Sequence, residues 1–325
     1  MSGDSSRRVV VTGVAGFIGS NLALRLLDEG YAVTGIDDLS QGAAAQIPAG
    51  VDFHQLDIRS AAIEPLLRDV SAVFHLAAKN CISDCQRDPI AAASINIVGT
   101  VNVFESTRRA GTRRVIHAES SALYEGVTDL PTNESAVAPQ SIYAITKLAG
   151  AEFGAAYARF HAMNMTALRY FCVYGPRQDY RRTIPPVMSA FIVALLRGQR
   201  PTIYGTGEKR RDFIYIDDVN DFHIQCLTDP HTHGGTFNIG SGRDYSVQEI
   251  LREIGDLLNT SIEPRYAPDL PGEAERTCAD VSRARALGWA PRVELREGLK
   301  RSIDYIREHV VTERVAIDQR VELST

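Results

Sequence analysis

The stretch TGVAGFIG, residues 12 to 19, decides the fold of this chain. Its three glycines, Gly13, Gly16 and Gly19, separate the apolar run RRVVV from the helical pattern FIGSNLALRLLDEG. Glycine permits a tight turn and lets backbone amides approach a pyrophosphate, which then lies at the positive end of the helix. The spacing is GxxGxxG and not the GxGxxG of classical dinucleotide-binding folds. The position between a buried strand and an amphipathic helix therefore carries the prediction of a nucleotide-binding turn.

Two carboxylates end the next predicted strands. Asp37 closes the second strand in VTGIDDLS, where it is placed to accept hydrogen bonds from the ribose hydroxyls of an adenosine and to repel a 2′-phosphate. We therefore expect NAD and not NADP as the cofactor. The alternative is that Asp37 only caps a turn. Asp57, which ends the third strand in QLDI, is expected near the adenine.

Short β-branched runs alternate with longer helical patterns through the first half of the chain. Continuous Val, Ile, Phe and Leu suit strands that are buried on both faces, and the segments between them have the 3.6-residue period of amphipathic helices. Strand and helix repetition of this kind requires right-handed crossovers. The predicted fold is a doubly wound parallel α/β sheet, with strands at RRVVVTG, YAVTGID, VDFHQLD, SAVFHLAA, TRRVIHAES and MTALRYF.

The alternation loosens after about Gly175. We expect an NAD-binding domain over residues 1–172, with returning segments near 212–241, and a smaller mixed α/β lobe formed mainly by residues 173–325. Open sheets bind ligands at the carboxyl ends of their strands, so this lobe is expected to pack over that edge and to bind the substrate.

Composition excludes several function classes. The 325 residues are 44% hydrophobic and 23% charged, and the net charge is −5, so neither nucleic acid nor an acidic membrane surface is an expected partner. No apolar run approaches the roughly 20 residues that cross a bilayer, and the amino terminus has no signal-peptide pattern. We expect a cytoplasmic protein. The five cysteines lack zinc-ligand spacing, so no metal site is predicted.

The run SIYAITK, residues 141 to 147, places Tyr143 and Lys147 four residues apart at the start of a predicted helix. At helical spacing the two side chains point the same way, so a phenol and an ammonium group lie beside one another. Taken alone, this pattern also suits an ordinary amphipathic helix with a surface lysine.

Several motifs in order resemble the extended short-chain dehydrogenase/reductase family, of the NAD-dependent sugar-nucleotide epimerase/dehydratase type. The likeness covers nearly the whole chain and implies a Rossmann fold. It is carried by Gly13-xx-Gly16-xx-Gly19, HLAA at 75–78, NIVGT from Asn96, Tyr143-xxx-Lys147, LRYFCVYGPRQ at 168–178, RRDFIYIDDV at 210–219, FNIGSG at 237–242 and ADVSRARALGW at 279–289.

The resemblance implies a catalytic role for Tyr143, as the base or acid, and for Lys147, which lowers the pKa of the tyrosine and binds the nicotinamide ribose. A free tyrosine has a pKa of about 10, and a nearby ammonium and the positive nicotinamide ring favour the phenolate. The family's hydroxyl lies four residues before Tyr124, which gives Ser120. The adjacent Ser121 is the alternative.

The resemblance also implies the residues that line the two halves of the site. For NAD they are Gly13, Gly16, Phe17, Ile18, Gly19, Asp37, Asp57, Ile58, Leu76, Ala77, Ala78, Asn96, Tyr143, Lys147 and Tyr170. For the nucleotide sugar they are Lys79, Ser121, Cys172, Arg177, Arg211 and Asp280.

Two substrate positions depart from the family pattern. An asparagine is replaced by Cys172, a much poorer donor, and a diphosphate-binding arginine is replaced by Leu270. Arg211 is then the expected diphosphate contact, with Arg177 and Lys79 in reserve. A catalytic role for Cys172, together with Cys81 and Cys85, is a second interpretation. It requires a lowered thiol pKa, of which the sequence gives no sign.

The reaction that the resemblance implies is epimerisation at C4 of an NDP-sugar, a UDP-hexose or UDP-N-acetylhexosamine, as in UDP-glucose and UDP-N-acetylglucosamine 4-epimerases. Ser121 and Ala122 stand where related dehydratases carry acids. Oxidation at C4 to a keto sugar and re-reduction then remain, with NAD regenerated. The alternative is a dehydratase or net oxidoreductase of the same family. The long helices after Pro89 and from Tyr143 are expected to pair into a homodimer.

Overall fold

The structure is a computed structural model that describes residues 7–181, 185–269 and 274–322, with side chains up to residue 309. The strands, in chain order, are β1 (Arg8–Thr12), β2 (Ala32–Asp37), β3 (Asp52–Gln55), β4 (Ala72–His75), β5 (Arg114–Ser120), β6 (Asn164–Tyr170), β7 (Cys172–Tyr174), β8 (Thr202–Tyr204), β9 (Arg210–Tyr215), β10 (Thr236–Ile239), β11 (Asp244–Ser246) and β12 (Arg265–Ala267). The helices are α1 (Phe17–Asp28), α2 (Ile82–Arg87), α3 (Pro89–Ala93), α4 (Thr100–Arg109), α5 (Ile142–His161), α6 (Val187–Leu196), α7 (Ile216–Thr228), α8 (Val247–Leu258), α9 (Ser282–Ala286) and α10 (Leu295–Glu322).

The large sheet has the strand order β10-β6-β5-β4-β1-β2-β3, and each neighbouring pair is parallel. From β1 the chain adds β2 and β3 on one side and then crosses to place β4 on the other. Ligands bind outside the carboxyl ends of the strands at such a switch point. Gly13 follows β1 and Leu76 follows β4, so both residues flank the crevice.

The three central valines of β1 explain how the sheet is held between two helical layers. Val9 and Val11 are buried in one apolar cluster with Leu22 of α1, whereas Val10 is buried in a second cluster with Phe104 of α4. Successive side chains of a strand point to opposite faces, so one uninterrupted apolar run supplies both cores.

The second lobe contains a three-stranded sheet in the order β11-β9-β7 and the pair β12-β8. Helices α6, α8 and α10 pack together beside these strands. β7 begins two residues after β6 ends, so the small sheet extends directly from the carboxyl edge of the large one. This connection brings the second lobe over the crevice.

The predicted doubly wound sheet with a smaller mixed lobe is confirmed, and all six predicted strands of the first half lie in the large sheet. One segment differs. The run DFIYI forms β9, which pairs with β7 and β11 in the small sheet, whereas β10 is the strand that returns to the large sheet beside β6. Within the described ranges, no helix is both long and apolar enough to cross a membrane.

Candidate active site

The glycine turn forms a cradle that side chains would fill. Gly13 has a φ of +75°, and a Cβ there would lie 2.8 Å from the backbone nitrogen of Ala77. A Cβ at Gly19 would lie 2.0 Å from the carbonyl oxygen of Gly13. Helix α1 begins at Phe17 with Gly16 as its N-cap, so no capping side chain covers the amides of its first turn. These amides are donors for an anion such as a pyrophosphate.

Asp37 both shapes its turn and faces the site. Its carboxylate accepts hydrogen bonds from the backbone nitrogen of Ala15 at 3.0 Å and of Leu39 at 2.8 Å, and it also lines the cavity. Burial raises the pKa of this carboxyl group, while the two backbone hydrogen bonds oppose the shift. Turn capping and a role in cofactor binding are therefore compatible in one side chain.

A cavity of about 650 Å³ extends from the glycine turn across the carboxyl ends of the strands. A volume of this size suits a cofactor or ligand site. The predicted residues that line it are Gly13, Gly16, Phe17, Ile18, Gly19, Asp37, Asp57, Ile58, Leu76, Ala77, Ala78, Lys79, Ser120, Ser121, Tyr143, Lys147, Tyr170, Cys172 and Arg211.

A buried polar chain fixes the segment after β4. The hydroxyl oxygen of Thr12 accepts hydrogen bonds from the backbone nitrogens of Leu76 and Ala77, each at 3.2 Å. The ring of His75 contacts the hydroxyl of Thr12 at 2.9 Å and that of Thr100 at 3.0 Å. The HLAA segment is thereby held against the glycine turn.

Tyr143 lies in the first turn of α5, which is capped by Ser141 through a 3.1 Å hydrogen bond from the backbone nitrogen of Ala144. The phenol is buried close to Ser120 at the end of β5. Burial raises the pKa of Tyr143 to about 12, and the nearby hydroxyl of Ser120 works in the opposite direction. Burial is therefore the largest influence on this phenol in the protein alone, and the lowering of its pKa by Lys147 together with a nicotinamide ring stays a prediction.

Lys147 lies one helical turn further along α5. Its ammonium group donates a 2.6 Å hydrogen bond to the carbonyl oxygen of Ala118 on β5. Burial lowers the pKa of Lys147 to about 8, and the negative charge of Glu119 partly offsets that shift. The lysine therefore anchors the catalytic helix to the strand that carries Ser120.

Ser120 and Ser121 both line the cavity, but their environments differ. The Oγ of Ser120 accepts a hydrogen bond from the backbone nitrogen of Ala122 at 3.1 Å in addition to its contact with Tyr143. Glu119 is directed to a different partner, since it accepts a 2.7 Å hydrogen bond from the buried Arg169. The geometry favours Ser120 as the hydroxyl of the site.

Three predicted site residues do not line the cavity. Asn96 lies behind the cavity. Its side-chain oxygen accepts a hydrogen bond from the backbone nitrogen of Lys79, and its side-chain nitrogen donates to the backbone oxygen of Lys79 and to the hydroxyl of Thr146. The guanidinium of Arg177 donates to the carbonyl oxygen of Gln46, and the carboxylate of Asp280 accepts from Ser282 at the start of α9. Each of these side chains is used within the fold, and a direct role for any of them in binding stays a prediction.

Asn96 belongs to a π-helical segment, Ser94–Gly99, between α3 and α4. Such segments are rare and occur often at functional sites. Here the irregular turn directs a buried amide to Lys79 and to α5 at Thr146. Asn96 therefore positions the loop after β4 and does not itself face the cavity.

The buried Cys85 gives no support to an activated thiol. Cys85 is buried, donates to the carbonyl oxygen of Lys79 at 3.4 Å, and has a pKa raised to about 11 by burial. Cys81 contacts the hydroxyl of Ser83. Cys172 lines the cavity. Leu270 lies outside the described residues, and within those residues no cluster of His, Cys, Asp or Glu suits a metal ion.

Sequence reasoning missed two groups of lining residues. One belongs to the loop after β2, where a Cβ at Gly42 would lie 2.7 Å from the Cβ of Ala15, so the loop packs directly on the glycine turn. The small polar run DLSQG was the available signal for a close loop. The second group comes from distant segments with no local signal: Glu125, Gln178, Asp179, Arg181 and Thr277.

Comparison with known proteins gives the family. The model of the NAD dependent epimerase/dehydratase family matches residues 9–240. The UDP-glucose 4-epimerase of Mycolicibacterium smegmatis is 36% identical over 310 residues, which cover 92% of this chain and 98% of that protein. Two crystal structures of UDP-glucose 4-epimerases are also similar. That from Thermotoga maritima, with UDP-glucose, is 32% identical with a TM-score of 0.90 and covers 93% of this chain and 99% of its own.

The second, from Thermus thermophilus in complex with NAD, is 30% identical with a TM-score of 0.85 and covers 92% of this chain and 99% of its own. The family model spans well over half of the chain, and the similarity to the relatives runs through nearly all of it. The chain belongs to the NAD dependent epimerase/dehydratase family.

Proposed function

We propose that the protein is an NAD-dependent NDP-sugar 4-epimerase that acts on a UDP-hexose or UDP-N-acetylhexosamine. The observation that carries the proposal is the meeting of Ser120, Tyr143 and Lys147 in the same cavity as the glycine turn. The similarity to UDP-glucose 4-epimerases over nearly the full chain supports the same activity.

The residues present fit NAD. The glycine cradle leaves room for a pyrophosphate against the first turn of α1, and Asp37 places a carboxylate at the end of β2 for the adenosine ribose. Lys147 and Tyr143 are placed to hold the nicotinamide end. When bound, NAD supplies a hydride acceptor that oxidises C4 of the sugar and later returns the hydride to the opposite face.

The chain's own part of the chemistry is proton transfer at one oxygen. The phenol of Tyr143 takes the proton from the C4 hydroxyl and gives it back after re-reduction. Ser120 lies beside that phenol in the cavity, where its hydroxyl steadies the developing negative charge on the sugar oxygen. Lys147, held on the Ala118 carbonyl, keeps the helix turn of Tyr143 against β5.

The wall of the cavity favours epimerisation over dehydration. Elimination of water needs an acid or base beside the sugar in addition to the tyrosine. Ala122 lines the cavity with a methyl group. The two carboxylates near it are already engaged, Glu119 with Arg169 and Glu125 with Ser141 at the start of α5. We assign Lys79, Ser121, Cys172 and Arg211, which line the far part of the cavity, to the nucleotide sugar. We also propose that residues 1–172 with β10 bind NAD and that the later lobe binds the sugar nucleotide.

A panel of UDP-, dTDP-, GDP- and CDP-sugars tests the activity. The NAD-loaded protein is expected to convert a UDP-sugar into its 4-epimer without added reductant, which NMR detects as a new anomeric signal. Mass spectrometry must show no change in mass. Loss of water would identify a dehydratase, and a difference of two hydrogens a net oxidoreductase.

We also propose a homodimer formed by the helices beside the site. Large apolar side chains are exposed along one face of α5, with Ile145 at 52%, Phe153 at 41% and Phe160 at 71%, and Ile90 and Val98 are exposed nearby on the preceding helices. A row of this kind on neighbouring helices suits a symmetric interface.

The prediction is a dimer that the substitution Phe160→Glu converts to a monomer, as measured by analytical ultracentrifugation. Tyr266→Glu, an exposed aromatic on β12, is the matched control and must leave the dimer intact.

A further inference from the structure

The carboxylate of Glu125 joins the two segments that carry the catalytic hydroxyls. One of its oxygens accepts hydrogen bonds from the backbone nitrogens of Gln140, at 3.0 Å, and Ser141, at 2.6 Å. The other oxygen accepts from the hydroxyl of Ser141 at 2.8 Å. Ser141 is the N-cap residue of α5 and lies two residues before Tyr143. Glu125 therefore fixes the start of the helix that carries Tyr143.

Glu125 is itself fixed to the other catalytic segment. Ser120 ends β5, a 3₁₀ turn runs from Ser121 to Tyr124, and the backbone nitrogen of Glu125 donates to the carbonyl oxygen of Ala122 at 3.2 Å. The carboxylate therefore spans a separation of 16 residues along the sequence and ties the turn after Ser120 to the helix of Tyr143.

The start of α5 suits a carboxylate at this place. The amino terminus of the 20-residue helix α5 carries partial positive charge, which stabilises a negative group placed just before its first turn. Hydrogen bonds from neutral donors to a charged acceptor are also stronger than neutral pairs. Three such bonds on one side chain leave it little freedom.

Glu125 also lines the cavity, so its charge is felt at the phenol. The groups that face Tyr143 are Ser120 from β5, Cys85 from α2, Glu125 from the turn and Lys147 from its own helix. Among them, the negative charge of Glu125 helps to raise the pKa of Tyr143. Removing that charge without moving the helix is therefore expected to lower the pKa of the phenol.

We propose that Glu125 is a positioning residue for the reaction, which holds the amino terminus of α5 so that Tyr143 stays beside Ser120 in the cavity. This inference rests on the proposed function, because it assigns Glu125 to the same proton-transfer step. It goes beyond that function because it assigns a positioning role to a residue other than Ser120, Tyr143 and Lys147.

Two substitutions separate position from charge. In Glu125→Gln the amide oxygen can keep accepting from the two backbone nitrogens, and the amide nitrogen can donate to the hydroxyl of Ser141, so the helix stays in place while the charge is lost. In Glu125→Ala all three bonds are lost. Glu263→Gln, which removes an exposed charge from the segment before β12, is the matched control.

For Glu125→Ala we expect kcat to fall on the order of 10- to 100-fold with little change in KM, since a small displacement of a catalytic group costs this much. For Glu125→Gln we expect kcat within about threefold of wild type. The acidic limb of its pH–kcat profile should move to lower pH by roughly 0.5 unit or more, because the phenolate forms more readily. Glu263→Gln should match wild type in both respects.

A readout that needs no turnover keeps this test separate from that of the activity. Hydrogen exchange of the Gln140 and Ser141 amides should be faster in Glu125→Ala and unchanged in Glu125→Gln, and the Tyr143 resonance of ¹³C-tyrosine protein should titrate at lower pH in Glu125→Gln. Unchanged exchange in Glu125→Ala, or an unchanged titration of Tyr143 in Glu125→Gln, would overturn the inference. Wild-type protein that epimerises no sugar would overturn the proposed function alone.

Discussion

The two ends of the cavity differ in how they are built. The cofactor end is made of short local motifs, in which Gly13, Gly16 and Gly19 and then Asp37 follow directly from strands of the large sheet. The end that we propose for the sugar nucleotide is assembled from segments far apart in sequence, such as Lys79, Arg211 and Thr277. Binding by backbone groups can therefore be predicted from the spacing of residues in the sequence. Binding by side chains depends instead on which loops come together in the folded chain.

The sharpest test of this comparison is the substitution Tyr143→Phe, which removes a single oxygen at the point where the two ends join. Turnover is expected to fall by about 10³-fold, within the range that general acid–base catalysis contributes. NAD binding should be retained, because the glycine cradle and Asp37 are untouched. NMR assay of epimer formation and the absorbance of released NAD measure the two effects.

Near-normal turnover by Tyr143→Phe would contradict the proton-transfer role. Loss of bound NAD together with turnover would mean that the two ends of the cavity are not independent. Tyr157→Phe serves as the control, because that tyrosine lies on the same helix and bonds Glu105 away from the cavity.

The strands and the cofactor end were predictable because period and spacing are local properties. Buried runs such as RVVVT are continuous in apolar residues, and the glycine turn lies between a strand and a helix. The order of motifs also placed Tyr143 and Lys147 on one face of α5, as the structure finds them.

The remainder depended on partners that no local pattern reveals. Arg177 and Asp280 carry suitable charges, yet Gln46 and Ser282 engage them elsewhere. Glu125 reaches Ser141 across a loop, and only the folded chain shows that contact. The effect of burial on the pKa of Tyr143 has the same origin, since that effect depends on the packing around the phenol and no local pattern reveals it.

A substitution at Gly19 tests the cofactor end alone. In Gly19→Ala the added Cβ would lie 2.0 Å from the carbonyl oxygen of Gly13, so the turn must open. NAD affinity is expected to fall by about 100-fold, because the amides at the start of α1 move away from their shared target. Isothermal titration with NAD measures the loss.

Gly154→Ala is the matched control. The added methyl group would meet Met165 at 3.7 Å and Phe104 at 3.8 Å, which are ordinary contacts, and alanine favours the interior of α5. NAD affinity should therefore be unchanged in that variant. Wild-type affinity in Gly19→Ala would show that the glycine turn does not hold the cofactor.

The smallest expected effect distinguishes the two roles of Asp37. Asp37→Asn keeps the shape of the side chain but removes its charge. It should weaken NAD binding by about tenfold, the equivalent of one charge-assisted hydrogen bond. It should also reduce the preference of the protein for NAD over NADP. Titration of both cofactors gives the ratio of the two affinities. Asp52→Asn, at the exposed start of β3, removes the same charge from the amino edge of the sheet and should leave that ratio alone.

The ratio, and not either affinity, is the informative quantity. If Asp37 only shaped its turn through Ala15 and Leu39, the substitution would disturb the backbone under both cofactors and lower both affinities together. If the carboxylate faces the ribose, NADP gains from relief of repulsion while NAD loses an acceptor, and the two affinities move in opposite directions. An unchanged ratio would therefore assign Asp37 to the turn, and cofactor selection at this end would have to come from another part of the loop after β2.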